Sequence, residues 1–182
     1  MEKITTNRKN MALETPEYEL ISKHDGFEIR SYSEMIIATT CVNADYKSST
    51  SSGFRRIANY IFGDNDKEMK IAMTAPVISD CPSEELETYN ISFVMPKEHS
   101  MKDLPKANTR HVSIKKEALG EVAVLAFGGW ATESRSMVYQ EKLATLLQQN
   151  KIRTQGGFMV AQFNSPYALP MFRKNELMVR IK

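Results

Sequence analysis

One order of elements occurs twice along this chain, and a duplication of that kind leaves few folds open. After Pro16, short β-like runs appear at EYELI, at FEIRSY behind the turn signal Asp25-Gly26, and at MIIATTCV over 35–42. A Ser-rich stretch, KSSTSSG, leads into GFRRIANYIF, where Phe54, Ile57, Ala58, Ile61 and Phe62 recur at helical spacing. Ser51 or Ser52 can cap this helix and Gly63 can end it. MKIAMTAPVI over 69–78 is apolar or small on both alternating faces, which predicts a strand covered on both sides. YNISFVM over 89–95 predicts a strand with one apolar face. Pro76 inside the first of these should mark a bulge or an edge, with Ala75 extended before it.

Beyond a loop rich in Pro, Lys and Asp over 96–109, the order returns: HVSIKK, a turn at Gly120, EVAVLAF, a helix over about 134–149, and closing strands at 157–163 and 176–182. The sequence thus predicts an α+β fold of two ββαββ units, with pseudo-repeats over about 17–96 and 108–182. The simplest assembly is one antiparallel sheet curled into a distorted β-barrel, with two helices packed against it. Residues 1–16 are polar and aperiodic and read as a disordered leader to a single domain over 17–182.

Composition narrows the function classes. With 182 residues, 42% of them hydrophobic, the chain can bury a sizeable core as one domain. Its formal charge of +2 asks for neither a nucleic acid nor an anionic membrane as partner. Cys41 and Cys81 lie far apart with no ligand-spaced partners, so both are read as buried free thiols rather than as a zinc site or a disulfide. The polar start and the lack of a long apolar run predict a soluble, cytoplasmic protein. No nucleophile elbow, phosphate loop or zinc-protease helix occurs in the sequence.

Four strings are more specific. YELISKHDGFEIRSY, GFRRIANYIFGDNDKEMKIAMTAPV, FGGW and NSPYALPMFRKNEL, in this order, resemble the SOUL family of haem-binding proteins over about residues 17–182. The resemblance implies a duplicated barrel with two helices, related in shape to the effector-binding domains of multidrug regulators and to gyrase-inhibitor proteins. It also implies haem or another tetrapyrrole as the ligand, with no well-established reaction. The groove it implies is lined partly by the first helix, which carries over here to Phe54, Ala58 and Ile61, with Met73 on the next strand. Two positions depart from relatives: Ser31 stands where some vertebrate members have a histidine proposed as an axial ligand, and Ser51 where another branch has a basic residue. Serine neither ligates haem iron strongly nor pairs with a propionate, so Ser31→His or Ser51→Arg should tighten haem binding.

A tetrapyrrole is a flat apolar disc with carboxylates at one edge, and a binder needs apolar walls with cations at the rim. Phe54, Ile57, Ile61 and the methionines can supply walls, and Arg55, Arg56, Lys70, Arg173 or Lys174 the rim. Each has a plainer use. Ile57 and Ile61 first serve to pack a helix on a sheet, the eleven methionines serve as core filler, and Arg55 and Arg56 solvate an outer face. Among the histidines, His111 is the one candidate iron ligand, and Met73 is a candidate axial thioether. The sequence therefore reads as a non-catalytic carrier or buffer of a planar hydrophobic ligand, possible without an axial ligand. The alternative is an effector-binding or hydrolytic module in which Glu141, Glu176, Tyr60 and Tyr139 converge.

Overall fold

The computed structural model describes residues 13–82, 87–165 and 168–182. Seven strands and two α-helices follow in the order β1 (Tyr18–His24), β2 (Phe27–Asn43), α1 (Tyr46–Ile61), β3 (Val77–Asp80), β4 (Thr88–Val94), β5 (Ser113–Gly128), α2 (Glu133–Gln149), β6 (Thr154–Gln162) and β7 (Lys174–Ile181). All pairings among these strands are antiparallel. They run β1-β2-β4-β3-β6-β7-β5, and β5 returns to pair with β2 from Glu28↔Val124 to Thr39↔Ser113. That last pairing closes β2, β4, β3, β6, β7 and β5 into a barrel and leaves β1 outside it. The α+β barrel with two helices expected from the duplicated order is therefore present.

The elements differ from the sequence reading where long strands replace hairpins. FEIRSY and MIIATTCV form one continuous strand, and HVSIKK and EVAVLAF form another that starts only at Ser113. Gly120 adopts φ 65° inside β5 and bends that strand instead of turning it back. Leu119 and Val122 consequently point into the same interior cluster although three positions apart. The second unit is thus βαββ, its two expected opening strands being one.

The strand expected over 69–78 is reduced to its end, because β3 begins at Val77, directly after a cis Ala75–Pro76 peptide. Residues 13–16, assigned by sequence to the leader, dock on this stretch. Glu14 accepts from the Ala75 amide at 2.8 Å through its carbonyl, and from the Lys97 amide at 2.9 Å through its carboxylate.

Helix α1 starts well before the expected Ser51 or Ser52. Its N-cap is Asp45, whose carboxylate accepts from the Ser48 amide at 2.9 Å; hydrogen bonding from the Ser48 side chain and then from its amide holds the Asp45 pKa below the usual carboxylate range. The Ser-rich stretch is helical because its hydroxyls bond the backbone: Ser49 donates to the Ala44 carbonyl at 2.9 Å and Thr50 to the Tyr46 carbonyl at 3.0 Å. Buried Tyr46 anchors the added turn. At the other end Phe62 caps the helix and Gly63, at φ 117°, leads the chain away.

Three apolar clusters result. Ile57, Tyr60 and Ile61 of α1 pack on Ala38, Ile91 and Phe93 of β2 and β4. Leu143 and Leu147 of α2 pack on Leu125, Val160 and Leu177. Tyr32, Ile78, Val122, Val124 and Met178 fill the barrel. Helix α1 lies so close to β4 that a Cβ at Gly53 would stand 2.7 Å from two side-chain carbons of Ile91 and 2.8 Å from its Cβ. Ile91 is fully buried and cannot swing its own Cβ aside, so the helix would have to lift. Gly53→Val is expected to cost about 2–3 kcal/mol of stability, seen as a lower urea midpoint with an unchanged slope.

Both cysteines are free, but only Cys81 is buried. Burial, with the charge of Asp80, pushes its thiol up to about 12. Cys41 is exposed on β2, contrary to expectation, because its position in the strand alternation faces solvent. A disulfide-exchange reagent at mildly alkaline pH should therefore titrate Cys41 at once in the native chain and reach Cys81 only in denaturant. Equal rates for both thiols would contradict this placement.

Candidate functional site

The two helices lie against the barrel with a pocket of about 950 Å³ between them, within the size range of small-molecule sites. One wall is the N-terminal half of α1, with Tyr46, Lys47, Thr50, Ser51 and Phe54. The floor is Val77 and Ser79 of β3, Ile91 of β4 and Gln162 of β6. The opposite wall comes from the second unit: Trp130 to Ser134 at the start of α2, Met137 within it, and Asn164 and Arg173 at the approach to β7. Each unit thus contributes one helix and part of the floor.

The lining is set locally. Phe54 is held by Phe93, with ring centroids 5.2 Å apart, and its exposed part faces the pocket. Tyr46 is nearly fully buried, its ring 5.5 Å from that of Tyr89 and its hydroxyl 3.4 Å from that of Ser79. Burial raises the Tyr46 pKa, so its phenol stays protonated at neutral pH. Trp130, the single tryptophan, is 48% exposed and lies flat against the Arg173 guanidinium, whose carbon is 3.6 Å from the ring centroid. Arg173 Nε donates to the Ala168 carbonyl at 3.0 Å, which fixes the guanidinium in place. Burial lowers the Arg173 pKa, yet a guanidinium remains charged at neutral pH. Lys47 and Arg173 therefore put two cations on the lining, against the single carboxylate of Glu133.

The candidate residues separate into two groups. Phe54 lines the pocket, and so does Arg173, one of the candidate rim cations. Ile57, Ala58 and Ile61 continue the same face of α1 toward its C-terminal end, where they are buried instead of lining the pocket. Arg56 turns to β2 and donates to the Cys41 carbonyl at 3.0 Å, while Arg55 is exposed and outside the lining. Met73 packs at the edge of the α1 core and is likewise outside it. His111 is exposed before the start of β5, its backbone amide donating to the Thr109 hydroxyl at 3.2 Å. Ser51 lines the pocket, whereas Ser31 sits on β2 opposite Glu121, outside it.

The set considered for hydrolysis does not converge there. Tyr60 donates to the Pro105 carbonyl at 2.9 Å beneath the end of α1, Tyr139 stacks on Phe127, and Glu141 is exposed on α2. Glu176 is fully buried at the barrel end, 3.1 Å from Arg30 and 3.3 Å from Lys174.

Of the second wall, sequence reasoning named only Arg173, as a rim cation, and missed Trp130. Trp130 and Arg173 belong to FGGW and to NSPYALPMFRKNEL, two of the strings that carry the family resemblance, so distinctiveness was the available signal. Periodicity gave none, because both residues lie outside helices and strands.

The donor set fits a flat macrocycle with acidic substituents better than it fits bound iron. Aromatic and aliphatic walls can cover a porphyrin face, and Lys47 and Arg173 can meet carboxylates at its edge. Among the described lining residues there is no histidine. Met137 offers a thioether, and the Tyr46 hydroxyl is already engaged with Ser79.

A barrel carrying two helices with an apolar, cation-edged pocket between them defines a small-molecule-binding protein. A model of the SOUL heme-binding protein family matches residues 13–180, and the chain belongs to that family. It is 31% identical to "Heme-binding protein 2" of Mus musculus, across 96% of this chain and 89% of that one. It is 34% identical to "Heme-binding protein 2" of Homo sapiens, across 83% and 76%. Among solved structures, a hydrolase from Listeria innocua superposes with a TM-score of 0.61 at 13% identity, covering 89% of this chain and 94% of that one, a likeness of fold alone. No described helix is long and apolar enough to cross a membrane.

Proposed function

We propose that this chain binds haem or a related tetrapyrrole in the pocket between α1 and α2, as a carrier or buffer that performs no chemistry on it. The observation that carries the reading is the pairing of Trp130 with Arg173 across from Phe54, a stacking surface with a fixed cation at its edge. The names of the mouse and human relatives support the ligand class. In this reading Phe54, Trp130, Val77 and Met137 cover the macrocycle while Lys47 and Arg173 meet its carboxylates. Haem would supply an iron centre, but the pocket supplies no imidazole to hold it, so affinity comes from burial of the ring. Covering some 300 Å² of ligand at about 25 cal/mol per Å² gives roughly 7 kcal/mol before ordering costs, enough for micromolar affinity.

The dispersal of Tyr60, Tyr139, Glu141 and Glu176 favours binding over hydrolysis as the role of this pocket. Single-domain organisation over residues 17–182 is part of the same reading, since both units build the site.

Haemin titration followed by Soret absorbance tests the proposal. Ser51 is an exposed lining residue, so Ser51→Arg adds a third cation at the edge and is expected to tighten haemin roughly three- to tenfold. Ser31→His, outside the lining, is expected to leave the wild-type titration unchanged, which revises the sequence expectation. Saturation that Ser51→Arg does not alter, with a gain from Ser31→His, would place the ligand elsewhere.

A further inference from the structure

The turn that precedes β7 carries an apolar tip that lies outside the pocket lining. Leu169, Met171 and Phe172 are 58%, 79% and 68% exposed, among the most exposed large apolar side chains described. The tip is a 3₁₀ turn, closed by the Phe172 amide donating to the Leu169 carbonyl at 3.0 Å and the Arg173 amide to the Pro170 carbonyl at 3.1 Å. Such a turn holds apolar groups in water at a standing cost, and a contiguous exposed patch of this kind marks an interaction surface.

The surroundings indicate the partner. Pro170 borders a shallow groove shared with Trp130, Arg135, Val138 and Lys142, and Val138 is itself 61% exposed. Arg135, Val138 and Lys142 follow one another at helical spacing along α2, so an apolar residue lies between two exposed cations. The carboxylates of this helix point elsewhere, Glu133 lining the ligand pocket and Glu141 lying outside the groove. Apolar side chains at the tip, a half-exposed tryptophan beside them and a cationic border match the depth profile of a bilayer surface: hydrocarbon, interface, headgroup phosphate. A protruding tip also suits a fluid that closes around it, whereas a protein partner would have to offer a matching recess.

We propose that the Leu169–Phe172 turn, with Trp130, Val138 and the cations of α2, docks the protein on bilayers containing anionic lipid. Docked in this way, the Trp130 edge of the ligand pocket lies against the membrane. The chain's small net charge concealed this, because the cations are local to one face. The inference does not depend on which ligand the pocket holds.

Co-sedimentation with vesicles tests it, using phosphatidylcholine alone and phosphatidylcholine with about one third phosphatidylserine. The wild-type chain should sediment with the mixed vesicles and only weakly with the neutral ones. Phe172→Asp or Met171→Asp should reduce partitioning to both by at least roughly tenfold, and Lys142→Ala should reduce it roughly fivefold on the mixed vesicles alone. Met171 and Phe172 lie outside the pocket lining, so haemin titration of these variants should match wild type, which separates failure of the surface from failure of the pocket. Wild-type protein that stays in the supernatant with both vesicles overturns the proposal. So does a Phe172→Asp chain that sediments like wild type, or a self-association that Phe172→Asp abolishes in the absence of vesicle binding.

Discussion

Glu176→Ala is expected to lower the stability of the protein by about 3–5 kcal/mol, read as a shift of the urea midpoint. Glu28, Arg30 and Tyr32 lie at alternate positions of β2 and face one end of the barrel interior, where Glu176 of β7 meets them. Arg30 Nη1 is 3.1 Å from Glu176 Oε2 and 3.3 Å from the Tyr32 hydroxyl, while Nε and Nη2 donate to Glu28 Oε2 at 3.0 and 2.8 Å. The ring of Tyr18, from β1 outside the barrel, covers the guanidinium at 4.2 Å. Burial by itself would lower the Arg30 pKa, but the hydrogen bonds to Tyr32 and Glu28 and the charge of Glu176 outweigh it and raise it above the ordinary value.

Removing Glu176 leaves Arg30 and Lys174 facing a space without their shared carboxylate. The expected loss is a large fraction of the roughly 5–15 kcal/mol that keeps a domain folded. Replacing both members of the pair, as Arg30→Met with Glu176→Leu, should restore most of it, because apolar packing removes the desolvation cost along with the attraction. A single variant as stable as wild type would show that the network contributes nothing to stability.

Phe54→Asp is expected to weaken haemin binding roughly 100-fold or more, beyond detection in a micromolar titration. Phe54 presents a flat apolar face to the pocket, and a carboxylate there would both remove that wall and repel the ligand's acidic edge. Phe54→Leu keeps an apolar wall and should lose less than tenfold. Loss of the Phe93 contact will also destabilise the fold by about 1–2 kcal/mol in either variant, so binding is to be compared well below the unfolding midpoint. Equal losses for Asp and Leu would mean that shape at this position matters and polarity does not.

The fold was largely legible because its signals repeat. The apolar stripe of α1, the leucines of α2 and the order of strands each imply a two-sided, duplicated arrangement. Strand continuity was hidden at Gly120, since glycine at positive φ serves a bend within a strand as readily as a hairpin turn. The first two turns of α1 were hidden because serine and threonine read as linker residues until their hydroxyls are seen to bond nearby backbone carbonyls.

The pocket was half legible. Helical spacing identifies which residues of α1 share a face but not where along that face the sheet covers it. The core takes Ile57, Ala58 and Ile61, and the pocket takes Phe54 from the N-terminal end of the same stripe. Trp130 and Arg173 come together across a sequence separation of 43 positions of loop, helix and strand, a distance over which no local pattern reports.

In the proposed reading the pocket holds the macrocycle rather than its iron. That reading is tested most directly by titrating haemin and metal-free protoporphyrin in parallel while following the emission of Trp130, the single tryptophan, which lines the pocket. Saturable quenching by both ligands with dissociation constants within about threefold of each other is the predicted result. Quenching by neither ligand, or by haemin alone, would contradict it.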